Sequence, residues 1–208
     1  MKNLSSFVLA IGLLLSTSFA QNFEGIMIME VTTQGTNLTQ EYKIKGDKAV
    51  AEIKVGGIPI QRMYADGTKK EVYVLQETGS KKTAVRIKIN EDKENPNKKP
   101  KVTETKETKT ILGYTCTKII VEDGKKTTTA WVSKDITKQL NIDFDKVVGG
   151  MAKNNVSKYG FPLELEIKDE NNVSTTKVTK IEKSTVDDAI FPNLSEYEIQ
   201  EMPIKGLR

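Results

Sequence analysis

The sequence predicts a mainly β protein: a curled antiparallel sheet or incomplete β-barrel, with one or two short helices. Three observations carry that prediction. Apolar residues recur with a period of two through most of the chain, giving strands with one dry and one wet face. Short turn motifs, Gly46-Asp47, Gly56-Gly57, Asp66-Gly67, Asp123-Gly124 and Asn171-Asn172 among them, separate the runs. Helical spacing is confined to a single stretch, Asp135 to Lys153.

In chain order, the first element is not a strand. Lys2, the apolar run Phe7 to Leu15, and small residues at Ser18 and Ala20 read as a secretory signal peptide over residues 1–20. The run is too short for a membrane span, and no Cys follows it for lipid attachment. Residues 21–208 are then expected to form one β domain, periplasmic or secreted, monomeric, and without a transmembrane span.

Strands are expected near 23–34, 40–46, 48–55, 59–65, 71–77, 83–89, 101–109, 114–122, 127–133, 162–169 and 173–183. The first is apolar at both parities, with Met27, Met29 and Val31 on one and Ile26 and Ile28 on the other, so cover on both faces is expected. Met is flexible and polarizable, which suits an adaptable apolar surface as well as a plain core. Tyr42 and Ile44, then Ala49, Ala51, Ile53 and Val55, then Val85 and Ile87, alternate with charged neighbours. One-sided patterning of this kind belongs to antiparallel sheets. Residues 90–101, charged and twice interrupted by Pro, read as an exposed loop. In the helical stretch, Phe144, Val147, Val148 and Met151 fall on one face, with Asp143 as N-cap. That face either packs into the core or lies as a lid over one open side of the sheet. Val186 to Tyr197 forms a terminal tail with aromatics placed for burial.

Composition excludes several chemistries. The chain has no His, which removes Ser-His-Asp and Cys-His catalysis and every imidazole metal site. Cys116 is the single cysteine, so no intramolecular disulfide forms, and a small buried hydrophobe is its ordinary role. The formal charge is +4, and the cations are nearly all Lys, which argues against nucleic-acid readout by Arg forks. Asp143 with Asp145, and Asp187 with Asp188, lack calcium-loop spacing and read as caps and turns. Glu164 and Glu166 share a strand parity, as solvent-facing positions do, and form no catalytic pair. No phosphate loop or dinucleotide fingerprint follows any strand, so no catalytic residue, metal or cofactor is expected.

The most distinctive local segments are Ile111-Leu-Gly-Tyr-Thr-Cys116, Ala130-Trp-Val-Ser-Lys-Asp135, Gly160-Phe-Pro-Leu163 and the closing Phe191-Pro192 with Tyr197 and Met202. With the early Phe23-Glu-Gly25 strand they resemble an uncharacterised bacterial envelope family, domain of unknown function 4412, whose fold is similar to the LolA and LolB lipoprotein carriers. The resemblance implies an incomplete antiparallel barrel whose concave apolar side is closed by helices and holds acyl chains. The family has no assigned catalytic residues, so none carries over. The expected function is a non-enzymatic carrier or binder of an apolar ligand, a lipid or lipidated protein. Met27, Met29, Tyr114, Trp131, Phe144, Val147 and Met151 are the expected lining. The alternative is a structural or interaction module of the cell envelope with no ligand cavity.

Overall fold

The computed structural model describes residues 23–88, 100–140 and 156–201. The first half of the sheet is β1 (Glu24–Thr33), β2 (Thr36–Lys45), β3 (Lys48–Val55), β4 (Ile58–Asp66), β5 (Glu71–Thr78) and β6 (Lys81–Lys88). The second half is β7 (Lys101–Ile111), β8 (Tyr114–Asp123), β9 (Lys126–Ser133), β10 (Phe161–Lys168) and β11 (Val173–Lys183), and α1 (Lys134–Leu140) follows β9. A short β12 (Glu198–Glu201) closes the described chain.

All twelve strands join one sheet, ordered β12-β6-β5-β4-β3-β2-β1-β11-β10-β9-β8-β7. β1 to β6 form a meander of hairpins, the second half adds the hairpins β7–β8–β9 and β10–β11 joined through α1, and the halves meet where β1 pairs antiparallel with β11. Every pairing is antiparallel except β12 on β6. The period-two patterns therefore give the predicted architecture, a curled antiparallel sheet that does not close. Register shifts at Ile28/Met29, Ile53/Lys54, Glu104/Thr108 and Pro162/Glu164 mark bulges. Each bulge adds bend and right-handed twist, which is what rolls a sheet of this width. The rolled interior gathers Met27, Tyr42, Ala51 and Met63 from the first half with Cys116, Phe161, Leu163 and Val178 from the second.

The edges are guarded. The edge strand β7 alternates Thr with Lys and Glu, and its bulge breaks the ladder where Thr105 donates to the Lys118 carbonyl. Charge and irregularity of this kind discourage edge-to-edge pairing.

Several expectations need correction. The twelfth strand was not anticipated, because Glu198–Glu201 is four exposed residues without apolar alternation. Lys101 already belongs to β7, so the expected 90–101 loop is one residue too long, and residues 90–99 lie outside the described chain. Helix forms at Lys134–Leu140, whereas Asp143, Phe144, Asp145, Val147 and Met151 lie outside the described residues. The second parity of β1 is half-buried rather than sealed: Ile26 and Ile28 stand opposite Lys43 and Glu41.

Conversely, β3 to β5 are apolar on two faces. Val50, Tyr64, Tyr73, Leu75 and Ala84 are buried on the side away from the main core. After β11 the chain crosses this second face in two 3₁₀ turns, Asp188–Ile190 and Leu194–Glu196. Asp187 and Asn193 cap those turns by accepting from Ala189 N and Ser195 N. Ile190, Phe191, Leu194 and Tyr197 pack on the face, with Phe191 tilted 6.2 Å from the Tyr64 ring. Lys82 with Glu196 at 2.6 Å, Lys81 with Glu198 at 3.6 Å and Arg86 with Glu201 pin the segment against β6.

This second core has a pH consequence. Burial, joined by the Asp66 carboxylate at Tyr64 and the Glu71 carboxylate at Tyr73, pushes both phenols up to about 12. The ordinary value is 10.0. The unfolded chain therefore ionises first, so stability is whole below pH 10 and drains between about 10 and 12. Denaturant midpoints followed through that window should fall as tyrosinate absorbance lags behind free tyrosine. A midpoint that stays level up to about pH 12 would contradict the burial.

Candidate apolar binding site

Residues directly opposite on neighbouring strands share a face, so register maps the interior of the first half. One row runs Met27, Tyr42, Ala51, Met63, Val74 and Val85 across β1 to β6. A parallel row runs Gly25, Ile44, Ala49, Ala65, Val72 and Ile87. Toward the Gly56-Gly57 turn the next rows are Met29, Gln40, Ile53 and Gln61, then Val31, Leu38, Val55 and Ile58.

Burial falls along this axis. Met27 is 0% exposed and Met29 3%, Val31 and Leu38 are half-buried, Val55 is 36% exposed and Ile58 70%. The face thus runs from a sealed core to an open rim, apolar except for Gln40 and Gln61 in the row between them. At the sealed end Phe23, Ile136, Phe161 and Leu163 close over it. Tyr42 spans the transition: its hydroxyl donates to Gln40 Oε1 at 2.9 Å, and burial raises its pKa well above the ordinary tyrosine value.

Four of the seven expected lining residues come together. Met27 and Met29 belong to the main core cluster, and Tyr114 and Trp131 pack against it while half-exposed. Phe144, Val147 and Met151 are outside the described residues. Trp131 carries a further arrangement that its sequence context did not announce. Lys109 Nζ lies 4.4 Å from its ring centroid and Lys118 Nζ 6.0 Å. Glu164 pairs with Lys109, and Glu107 with Lys118 at 3.0 Å. The indole is capped by cations that their carboxylates hold in place. Glu164, expected from its strand parity to face solvent, is half-buried in its pair with Lys109, and Glu166 pairs with Lys168 at 2.8 Å.

Cys116 is buried, and its thiol donates to the Tyr114 carbonyl at 3.5 Å. Burial raises the thiol pKa, which disfavours the reactive thiolate. Ser133 Oγ is buried without a hydrogen-bond partner. A separate open depression of about 370 Å³ lies between the β8–β9 and β10–β11 turns, lined by Asp123, Lys126, Asp169, Asn172 and neighbours. Its polar walls do not suit an apolar guest. Among the described residues no group of Cys, Asp and Glu is placed to hold a metal ion, and no helix is long and apolar enough to cross a membrane.

Residues 23–197 match the model of a family described as Domain of unknown function (DUF4412). Among curated proteins none matches. Of the solved structures, PNGF-II is similar over 88% of this chain at 15% identity, with a TM-score of 0.51. The chain spans 31% of PNGF-II, and at that identity the likeness concerns fold alone. The lipoprotein LppX of Mycobacterium tuberculosis aligns at 9% identity and a TM-score of 0.38, covering 77% of this chain and 90% of LppX. LprF of Mycobacterium bovis aligns at 11% identity and a TM-score of 0.36, covering 78% of this chain and 89% of LprF.

Proposed function

For this chain, which belongs to the DUF4412 family, we propose a non-enzymatic extracytoplasmic carrier or binder of an apolar ligand, a lipid or lipidated protein. One observation carries the reading: the sheet face that is sealed at Met27 opens at an apolar rim of Val31, Leu38, Val55 and Ile58, with Met29 and Ile53 joining the two beside Gln40 and Gln61. A guest laid along that face withdraws CH₂ groups from water at roughly 0.8 kcal/mol each, with no polar contact required. Met29 sits at the boundary between the sealed and open rows, and its flexible side chain can refit around a guest. Tyr114 and Trp131, half-exposed against the same cluster, extend the proposed lining. Periplasmic or secreted placement rests on the leader-like residues 1–20.

The test compares the mass of natively purified protein before and after denaturation. A released species of lipid size is the expected result, and repeated preparations without one would end the carrier reading. Met29→Lys should reduce captured guest more than it reduces the melting temperature. Met27→Lys, two residues deeper and 0% exposed, should unfold the chain outright.

A second reading, a scaffold or interaction module with no guest, is favoured by one specific observation. Met27, Ile44, Phe161 and Leu163 are already sealed against their own neighbours. Unfolding of both lysine variants alike, with no guest in the wild type, would select it.

A further inference from the structure

We infer that the tip of the β3–β4 hairpin is a lipid-surface anchor, inserting Ile58 and Ile60 into a bilayer. The inference goes beyond the carrier reading and stands whether or not a guest is carried. In a chain of 29% charged residues, the six residues Val55-Gly-Gly-Ile-Pro-Ile60 carry neither charge nor polar side chain. Ile58 is 70% exposed and Ile60 59%. The bulge at Ile53/Lys54 adds Ile60 as an extra residue and so brings two large aliphatic side chains to one turn. Gly56 and Gly57 both have positive φ, and nothing lies within 4 Å of either Cβ position, so no neighbouring element obstructs approach to a flat surface. With Val55, which stands opposite Ile58 and is 36% exposed, they make the tip an apolar cluster rather than a single stray side chain.

The small apolar tip, free of carboxylates, fixes the occupant. From Ile53 to Ala65 the chain carries two cations, Lys54 and Arg62, and no carboxylate. They stand on the two strands just behind the tip, roughly 3–7 Å of strand from the nearest apolar tip residue. Both cations are already matched: Glu41 and Glu52 hold Lys54 at 2.8 and 3.4 Å, and Arg62 lies 3.7 Å from Glu77 and donates to the Ile190 carbonyl at 2.8 Å, so insertion rests on the apolar tip and not on headgroup charge. A second copy of the chain fits less well. Two or three side chains on one turn cannot approach the roughly 1,200 Å² of a stable protein interface. A fluid bilayer demands no complementary shape.

The test is co-sedimentation of the full chain with vesicles of phosphatidylethanolamine and phosphatidylglycerol, against Ile58→Ser/Ile60→Ser. The wild type should sediment, and the double variant's partition should fall roughly a hundredfold, about tenfold for each isoleucine. Both positions are exposed, so melting curves should coincide; Ile58→Thr/Ile60→Thr keeps β-branching and replaces the serine pair if that pair misfolds. Sedimentation with phosphatidylcholine alone, again lost in the variant, supports insertion by the apolar tip without headgroup charge. Wild type left in the supernatant overturns the inference, including the case where light scattering shows it self-associated instead. Equal sedimentation of wild type and variant overturns it too. Native mass measurement of the wild type reads guest content separately from sedimentation, so failure here and failure of the carrier reading are distinguishable.

Discussion

A chain ending after Val186 is expected to lose cooperative folding or to melt far below the full-length protein. The cut removes Ile190, Phe191, Leu194 and Tyr197, which cover Val50, Tyr64, Tyr73, Leu75 and Ala84. At about 1 kcal/mol for each half-buried cover residue the direct loss is about 4 kcal/mol. Native stabilities are themselves only about 5–15 kcal/mol. The cut also strips β12 from β6, leaving β6 as an open edge, and deletes Glu196, Glu198 and Glu201, the partners of Lys82, Lys81 and Arg86. The newly bare face carries two stacked tyrosines 6.0 Å apart and a leucine beside an open strand edge, so a hydrophobic dye should bind and aggregation should follow. Phe191→Ala is the milder probe of the same face and should lower the melting temperature without abolishing the transition. A truncated chain that melts like the full-length protein would show that the segment is ornamental.

Gly25→Ala is the second large effect. Gly25 lies in β1 between Ile44 of β2 and Lys183 of β11, at the seam of the two half-sheets. A Cβ there would run into the Glu182 carbonyl oxygen and would meet the buried Phe23 ring at 2.8 Å. The obstacle is backbone of the partner strand, which can retreat only by opening the seam. A loss of about 3 kcal/mol or more is expected, or roughly 6–12 °C in melting temperature for a domain of this size. Gly35→Asn is the control: φ is +75° with nothing within 4 Å, a conformation Asn tolerates, so it should be nearly silent. Comparable melting of the two variants would mean that the close approach at Gly25 does not constrain the seam.

Much of the sheet was legible because period-two alternation is a direct image of one-sided burial. Tyr42 and Ile44, Ala49 and Ala51, and Leu163 announce the face they occupy. The second core was legible in principle as well. Ala49-Val-Ala51, Met63-Tyr-Ala65 and Val72-Tyr-Val-Leu75 are unbroken apolar runs, the pattern of strands covered on both sides, but counting only alternate residues hides it. What covers that face could not be read locally. A parallel strand of Glu-Ile-Gln-Glu has no periodicity of its own, and its place on β6 comes from the route of the tail and from cations supplied by distant strands. The candidate site divides in the same way. Met27 and Met29 follow from strand parity, whereas the two lysines over Trp131 depend on the register of β7 to β10, which no local motif encodes.

The seam between β1 and β11 has a kinetic meaning. Most neighbouring strands within each half-sheet are joined by short hairpins, β9–β10 and β12 on β6 apart, and such hairpins can form as soon as they are made. The central ladder must wait, because a β1 carbonyl, that of Ile28, meets its Thr179 partner across 151 residues of sequence. Loop closure over that span is entropically opposed, so pairing of β1 with β11 is expected to limit the folding rate, and variants that weaken the seam should slow refolding.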